Sequence, residues 1–171
     1  MKYIITIITL LCIPSILFAY KEIIVDLSVQ KAYAMEDGHI VFEGRISSGK
    51  EGRETPNGTY NIMQKKRYHR SNLWPKPNGG AKMNYMLRLT NTGIAMHLGH
   101  VPNRAASHGC VRLKSGFAQK MFRWAEVGTI VYIEGDARDY ADYMGYRNKS
   151  RRKDYFDDHG DYGFIDIPEE Y

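Results

Sequence analysis

The sequence contains little cysteine: Cys12 and Cys110 are the two cysteines in 171 residues. So few thiols exclude the disulfide-dense framework that stabilises many small secreted domains. No internal repeat is visible, which argues against a solenoid or propeller built from repeated units. Cys110 is the one cysteine that remains if the apolar N-terminus is removed, and an unpaired thiol in an oxidising compartment requires an explanation.

Long apolar runs are also scarce, and the clearest one lies at the N-terminus. Lys2 supplies positive charge, residues 3–18 are almost wholly apolar, and Ala19 offers a small residue at the cleavage position. This pattern predicts a signal peptide over residues 1–19, and hence a location in the periplasm or cell envelope. An uncleaved N-terminal anchor is the alternative. Lipid attachment at Cys12 fits less well, because bulky Leu11 precedes it where a small residue is expected.

Charge is distributed unevenly along the chain. Residues 20–135 hold 17 Lys and Arg against 9 Asp and Glu, whereas residues 136–171 hold 6 against 10. A basic body suits an acidic polymer, and the predicted export argues against nucleic acid as that polymer. A solvated surface with a modest excess of Lys explains the same composition. The last segment has 6 of the 13 tyrosines and no apolar periodicity, so we expect a charged, Tyr-rich tail over residues 136–171.

Residues 20–135 have mostly β character, and we expect them to form one domain. Asp37-Gly38 separates two strand-like segments, Lys31–Met35 and His39–Glu43, and favours a type I′ hairpin turn. Further strand-like segments are Ile23–Val25, Thr59–Met63, Tyr85–Leu89, Gly93–His97 and Thr129–Ile133. The pattern predicts a mainly β fold, either a sandwich or a barrel.

Helical periodicity is clear in one segment, between Ser115 and Val127, where large apolar residues recur at helical spacing. We therefore expect one principal helix over about residues 115–127, with Ser115 as its N-cap and its apolar stripe in the core. By contrast, Gln64–Lys82 is basic and rich in Pro and Gly. This composition predicts a long loop, of the kind that often forms binding loops and lids.

Three histidines and the unpaired cysteine fall within fourteen residues: His97, His100, His108 and Cys110. In one hypothesis the Cys110 thiolate attacks a carbonyl carbon, a histidine removes the thiol proton, and backbone amides around Gly109 bind the oxyanion. In a second hypothesis the four side chains bind zinc, although their spacing is unusual for structural zinc and no acidic residue between them could act as a base. In a third they are loop histidines and an inert thiol.

The run Ser107–Arg112, preceded by Ile94–His97, resembles the active-site signature of the L,D-transpeptidase catalytic domain, also called the YkuD domain. That signature has a histidine at a strand end, a spacer, and Ser/Thr-His-Gly-Cys followed by an apolar residue and Arg or Asn. Ile46–Gly49, Thr55–Tyr60 and Gly128–Val131 are similar to other blocks of the family. The resemblance covers about residues 21–135 and implies an L,D-transpeptidase-like β-sandwich or barrel.

The resemblance also implies a role for each matching residue. Cys110 would be the acyl-accepting nucleophile and His97 its base, with the backbone carbonyl of Leu98 orienting the imidazole. The amides of Gly109 and Cys110 would contribute to the oxyanion hole. The residues that would shape the substrate pocket are Ser107, His108, Arg112 and Tyr85. No cofactor and no metal is implied.

A reaction on peptidoglycan stem peptides is implied as well. Cys110 would attack the bond that follows diaminopimelate in a tetrapeptide, and the terminal D-Ala would leave as a thioester forms. An amine acceptor on a stem peptide, a protein or a glycan strand would give a cross-link or an attached protein. Water would instead give L,D-carboxypeptidase activity. The short spacer from His97 to Ser107 and the basic segment Gln64–Lys82 leave the acceptor open, and a non-catalytic wall-binding or metal-binding domain is the alternative from another functional class.

Overall fold

The computed structural model describes residues 19–72, 79–102 and 104–140. The predicted signal peptide up to residue 18 and the predicted tail from residue 141 onward lie outside the described residues. In chain order the described elements are β1 (Lys21–Asp26), β2 (Lys31–Glu36), β3 (His39–Ser47), β4 (Gly58–Asn61), β5 (Gln64–Lys66), β6 (Met86–Arg88), β7 (Ala95–Leu98), β8 (Val111–Leu113), α1 (Phe117–Trp124) and β9 (Ile130–Glu134). A short helical segment at residues 137–140 follows β9.

The strands form one curled sheet in the order β4-β9-β1-β2-β3-β8-β7-β6-β5. Most neighbours are antiparallel, while β1 with β9 and β7 with β8 run parallel. The long strand β3 joins the two halves, because it pairs first with β2 and then, through Ile46 and Ser47, with β8. The prediction of a mainly β fold with one principal helix is confirmed.

The first hairpin has the turn that its sequence predicts. Asp37 and Gly38 have φ angles of 49° and 78°, so both lie in the left-handed region that a type I′ turn requires. From this turn β2 and β3 pair along their length, with one irregularity after Ala34. The predicted hairpin is therefore confirmed.

One apolar core fills the inside of the curled sheet, and α1 closes it. Val111 and Leu113 of β8 are fully buried there, together with Ala118 and Met121 of α1. A methyl group placed on Gly44 of β3 would lie 2.4 Å from the ring of α1's first residue, so the helix packs directly on the β3 backbone. The parallel strands β7 and β8 contribute to this core through Met96 and Val111, which are both fully buried.

The observed helix is shorter than the predicted one, covering Phe117–Trp124 rather than residues 115–127. Gly116, not Ser115, is the N-cap, and its φ of 83° does not occur inside a right-handed helix. At the other end Ala125 is already extended, so the helix ends three residues earlier than expected. Within the described ranges, no helix has both the length and the apolar character of a membrane span.

The predicted long loop Gln64–Lys82 is largely a β-hairpin in its described part. β5 pairs with β6, and antiparallel bonding continues beyond it, where Ser71 N donates to Ala81 O at 2.9 Å. The loop prediction was wrong because a strand at a sheet edge can carry charged side chains on both faces, and such a strand lacks apolar alternation. We call residues 64–71 and 81–88 the rim hairpin.

Candidate active site

Strand pairing brings the predicted nucleophile and its predicted base to one face of the sheet. β7 and β8 run parallel with His97 opposite Arg112, and the same register brings Cys110, which directly precedes β8, alongside the start of β7. Because side chains alternate along strands, Cys110, His97 and Arg112 project from the same face. Met96 and Val111 occupy the opposite face, where both are fully buried in the core.

His97 is buried, with 8% of its surface exposed, and its ring is held in one orientation. Its Nδ1 lies 2.8 Å from the backbone oxygen of Leu98, which can only accept a hydrogen bond. In the neutral ring Nδ1 therefore carries the proton, and Nε2 keeps a lone pair. Burial lowers the pKa of His97, the Leu98 contact opposes this effect, and the charge on Arg112 adds to it. At neutral pH His97 is accordingly a neutral base.

Cys110 is a free, half-buried thiol whose Sγ lies 3.6 Å from the backbone oxygen of Gly93. A small apolar cluster packs against it: Met83, Met86 and Ala95. Burial raises the pKa of the Cys110 thiol, while a hydrogen bond with the Ala95 backbone and the charge on Arg112 oppose this rise. The resting pair at neutral pH is thus a thiol and a neutral imidazole.

Ser107 closes the turn that presents Cys110. Its hydroxyl donates to the backbone oxygen of Cys110 and accepts from the Gly109 amide at 3.2 Å. Gly109 has a φ of 107°, and a methyl group there would lie 3.1 Å from Ile94 Cδ1, so the position favours glycine. The Gly109 amide is thus bonded within the turn, and its role in the oxyanion hole stays a prediction. The Cys110 amide stays the predicted oxyanion donor.

A buried hydroxyl from another part of the chain holds the same turn. Thr55 is 4% exposed, and its Oγ1 accepts from Gly49 N at 2.8 Å and donates to Gly109 O at 2.9 Å. A methyl group on Gly49 would lie 2.1 Å from the backbone oxygen of Arg53, so the loop carrying Thr55 closes tightly over β3's end. Sequence reasoning placed Thr55 in a turn and a family block but assigned it no role at the site.

Gln30 supports the turn that presents Cys110 indirectly, through hydrogen bonds to Ser48. Its Oε1 accepts from Ser48 N at 2.9 Å, and its Nε2 donates to Ser48 Oγ and to Leu27 O, each at 2.8 Å. The backbone oxygen of Ser48 in turn accepts from the amides of Ala106 and Ser107 at 3.0 and 2.9 Å. No sequence pattern marked Gln30, since a single polar residue between two strands is ordinarily exposed.

Cys110 and His97 both open onto a cleft of about 740 Å³. The predicted pocket residues Ser107, His108 and Arg112 line it, and so does His100, for which no role was predicted. Further lining residues come from the rim hairpin, its described end at Gly80 and the turn after β6: Arg70, Ser71, Gly80, Ala81, Lys82, Met83 and Thr92.

Tyr85 lies away from this cleft. Its ring packs edge-on against Phe122 of α1, with 5.6 Å between the ring centroids, and the guanidinium of Arg67 lies 6.0 Å from it. The φ of Tyr85 is 54°, a left-handed conformation that interrupts strand alternation just before β6. Met83 lines the cleft and Tyr85 is not among its described lining residues, so the expected acyl-site role of Tyr85 stays a prediction that this packing does not support.

The zinc hypothesis finds no matching geometry in the described part of the chain. No group of three or more His, Cys, Asp or Glu side chains there is arranged to hold a metal ion. His97, His100, His108 and Cys110 share the cleft without forming such a group.

Comparison with known proteins places the chain in a family. The family model described as the L,D-transpeptidase catalytic domain, YkuD, matches residues 20–133. The chain belongs to this family. The matched L,D-transpeptidase catalytic domain begins just before β1, reaches into β9, and contains every candidate site residue named above. A search of curated proteins finds no match to the chain.

Solved L,D-transpeptidases have a similar fold. The enzyme from Stackebrandtia nassauensis is 26% identical with a TM-score of 0.61, over 70% of this chain and 57% of that one. The enzyme from Mycobacterium smegmatis is 23% identical with a TM-score of 0.61, over 68% and 59%. L,D-transpeptidase 3 from Mycobacterium tuberculosis, solved with a faropenem-derived adduct, is 21% identical with a TM-score of 0.59, over 68% and 60%. The match therefore spans less than two thirds of each of these relatives.

Proposed function

We propose that the chain is an L,D-transpeptidase-type cysteine acyltransferase that acts on peptidoglycan stem peptides. The observation that carries this proposal is the placement of Cys110 and His97 on one sheet face, both open to the same cleft. The family match supports the reaction class. A non-catalytic wall-binding domain fits less well, because such a domain has no need of a thiol beside an oriented base.

The proposed first step is acylation of Cys110. Its sulfur bonds to the carbonyl carbon of the bond after diaminopimelate, and its proton passes to Nε2 of His97. The C–N bond then breaks, and His97 returns the proton to the departing amine of D-Ala. The products are a thioester on Cys110 and free D-Ala. The Cys110 amide would stabilise the oxyanion of the tetrahedral intermediate.

The second step resolves the thioester and decides the biological outcome. An amine of another stem peptide, a protein or a glycan strand would attack the thioester carbonyl and give a cross-link or an attachment. Attack by water would release a tripeptide and make the enzyme an L,D-carboxypeptidase. We propose transfer to an amine as the main reaction, because the family match supports transpeptidation.

We also propose that the protein works in the periplasm or cell envelope. The apolar run over residues 3–18, followed by Ala19, supports export, and export would bring the enzyme to its substrate. Fractionation of cells that express the tagged chain, with detection of the mature N-terminus near Tyr20, tests this location.

Product analysis tests the proposed activity. The protein is incubated with a defined stem tetrapeptide, and free D-Ala and the peptide products are measured by mass spectrometry. We expect release of D-Ala with wild type, and a loss of about 1,000-fold or more in Cys110→Ala. Cross-linked dimers would identify a transpeptidase, and tripeptide alone a carboxypeptidase. Intact tetrapeptide after incubation with folded wild type would contradict the proposal.

A further inference from the structure

A second depression on the rim hairpin adjoins the cleft. It has a volume of about 520 Å³ and is lined by Tyr68, His69, Arg70, Lys82 and Asn84. Arg70 and Lys82 line the cleft as well, so the two depressions meet at this pair of side chains. We call the second depression the side groove. A molecule bound in the cleft can therefore continue into the side groove.

Strand register places four of these side chains on one face of the rim hairpin. Arg70 and Lys82 are bridge partners, and backbone hydrogen bonds continue the antiparallel pairing from them toward β5 and β6. Two residues further along each arm, the same register sets Tyr68 opposite Asn84. Side chains two positions apart project from the same face of a strand, so the two pairs lie side by side. The side groove is thus part of the sheet rather than a gap between loops.

Tyr68 presents an aromatic ring at this groove. It is 73% exposed, more than any other large apolar or aromatic side chain in the described residues. The guanidinium of Arg67 lies 5.6 Å from the Tyr68 ring centre and 6.0 Å from that of Tyr85, whose own ring packs on Phe122. This cation links the exposed ring to a packed one and leaves most of its surface accessible. A tyrosine in such a position offers a flat contact surface that costs little conformational entropy on binding.

The other groove residues supply hydrogen-bond donors and acceptors. The side-chain amide of Asn84 can do both, and so can a neutral His69 ring. Burial lowers the pKa of His69, and the charges on Lys66 and Arg88 lower it further, so the ring is neutral at neutral pH. A sugar matches this combination. The C–H face of its ring is apolar and stacks on an aromatic side chain, while its hydroxyl and amide groups require both donors and acceptors.

We propose that the side groove binds the glycan strand of peptidoglycan, with one sugar ring stacked on Tyr68. This inference rests on the proposed function, because a stem peptide in the cleft is attached covalently to a sugar of that strand. The sugar lies three residues from the scissile bond, roughly 10 Å away in an extended chain, and so falls outside the reacting centre. The side groove is fixed to that centre, since Leu98 N, next to His97, donates to Asn84 O at 2.9 Å.

An NMR titration of the ¹⁵N-labelled protein with glycan strands freed of their stem peptides tests the proposal without any turnover. In wild type we expect the amide signals of Tyr68 and Asn84 to shift, and the shifts give the Kd. Tyr68→Ala should raise the Kd by about tenfold or more, because the stacked surface is lost. Tyr68→Phe keeps the ring and should bind within about threefold of wild type. Circular dichroism checks that each variant is folded.

The control is Tyr20→Ala, which removes another exposed tyrosine, 49% exposed and outside the described lining of both depressions. It should keep the wild-type Kd. The glycan site would be overturned if the glycan shifted no groove signal in folded wild type, or if the Kd were equal in Tyr68→Ala and wild type. Equal shifts of the groove signals by a sugar-free stem tetrapeptide would overturn it too, since the groove would then hold peptide. Each of these results leaves the proposed function intact, which the release of D-Ala from tetrapeptide tests separately.

Discussion

The reacting pair in the cleft joins a buried imidazole to a half-buried thiol, and each is neutral at rest. Burial lowers the pKa of His97 and raises that of Cys110, so neither group favours its charged form. In the proposed mechanism the thiol proton would therefore move to His97 as the sulfur attacks, rather than in a preformed ion pair. The Leu98 carbonyl makes this possible, because it fixes the proton on Nδ1 and leaves Nε2 to accept.

The pH dependence of acylation follows from these shifts. A lowered His97 pKa keeps the imidazole unprotonated to lower pH, so the acidic limb of the rate profile should have its midpoint below the usual histidine value of about 6.5. The rate should rise again above pH about 8.5, where the thiol begins to ionise. Stopped-flow acylation by faropenem between pH 5 and 10, with pH values spaced by about half a unit, measures both limbs.

His97→Gln is the control for this profile. It should lose the acidic limb and retain the rise at alkaline pH, because only the thiol still titrates. An acidic midpoint above the usual histidine value in wild type, or the same acidic limb in His97→Gln, would contradict the assignment of His97 as the base.

Among the elements of the fold, two loops meet at the site, and the buried hydroxyl groups of Thr55 and Ser107 hold them together. Thr55 joins the loop after β3 to the turn before β8, and Ser107 closes that turn upon Cys110. Both side chains are buried, and both use their hydroxyls as donor and acceptor at once. The turn that presents the proposed nucleophile is therefore bonded to a residue more than fifty positions earlier in the chain.

Replacing Thr55 tests this junction. Thr55→Val keeps the shape but leaves the Gly49 amide and the Gly109 carbonyl without their partner, so we expect a loss of about 1–3 kcal/mol in the free energy of unfolding. We also expect acylation to slow by about tenfold or more, because the turn presenting Cys110 loses its support. Thr55→Ser retains the hydroxyl and should restore most of the rate. Urea unfolding and single-turnover acylation measure the two effects.

The exposed Thr59→Val is the matched control, and it should leave both quantities close to wild type. If Thr55→Val acylated at the wild-type rate while losing stability, Thr55 would support the fold without positioning the nucleophile. An acylation defect of equal size in Thr55→Ser would likewise contradict the role assigned to the hydroxyl.

The elements differ in how far their sequences determine them. The first hairpin was predictable, because its strands carry β-forming residues and Asp37-Gly38 fits one turn type. The strand β5 was not, since its Lys-rich sequence has no apolar alternation and its structure depends on pairing with β6. The short strand β8 was missed for a related reason, as three residues give no periodicity and its partners lie far away in the chain.

Across the whole molecule, the charged side chains of residues 55–125 are all Lys or Arg, whereas the segments on either side carry both signs. We call residues 55–125 the cationic segment. The described acidic residues of the domain lie before Thr55 or after Ala125, whereas β5 to β8 and α1 belong to the cationic segment. The described residues that line the cleft all belong to this cationic segment, whose positive charge would attract and orient an anionic substrate.

The sequence pointed to the candidate residues of the site but not to the contacts that support them. The cysteine run and the resemblance it carries pointed to Cys110, His97 and Leu98, and the fold brings these together through the β7–β8 register. The contacts of Thr55 and Gln30 could not be inferred, since nothing local indicates that a polar side chain will be buried against a distant turn. The resemblance implies a place for Tyr85 near the acyl site, whereas its backbone is left-handed and its ring packs against Phe122 of α1.

The proposed acylation of Cys110 with the help of His97 can be observed by mass spectrometry of the intact protein. The full chain is incubated with faropenem, its intact mass is recorded, and the modified residue is located by peptide mapping, which separates Cys110 from Cys12. We expect one adduct on Cys110 in wild type, none in Cys110→Ser, and much slower formation in His97→Gln. No adduct in folded wild type, or an adduct that persists in Cys110→Ser, would contradict the proposed acylation.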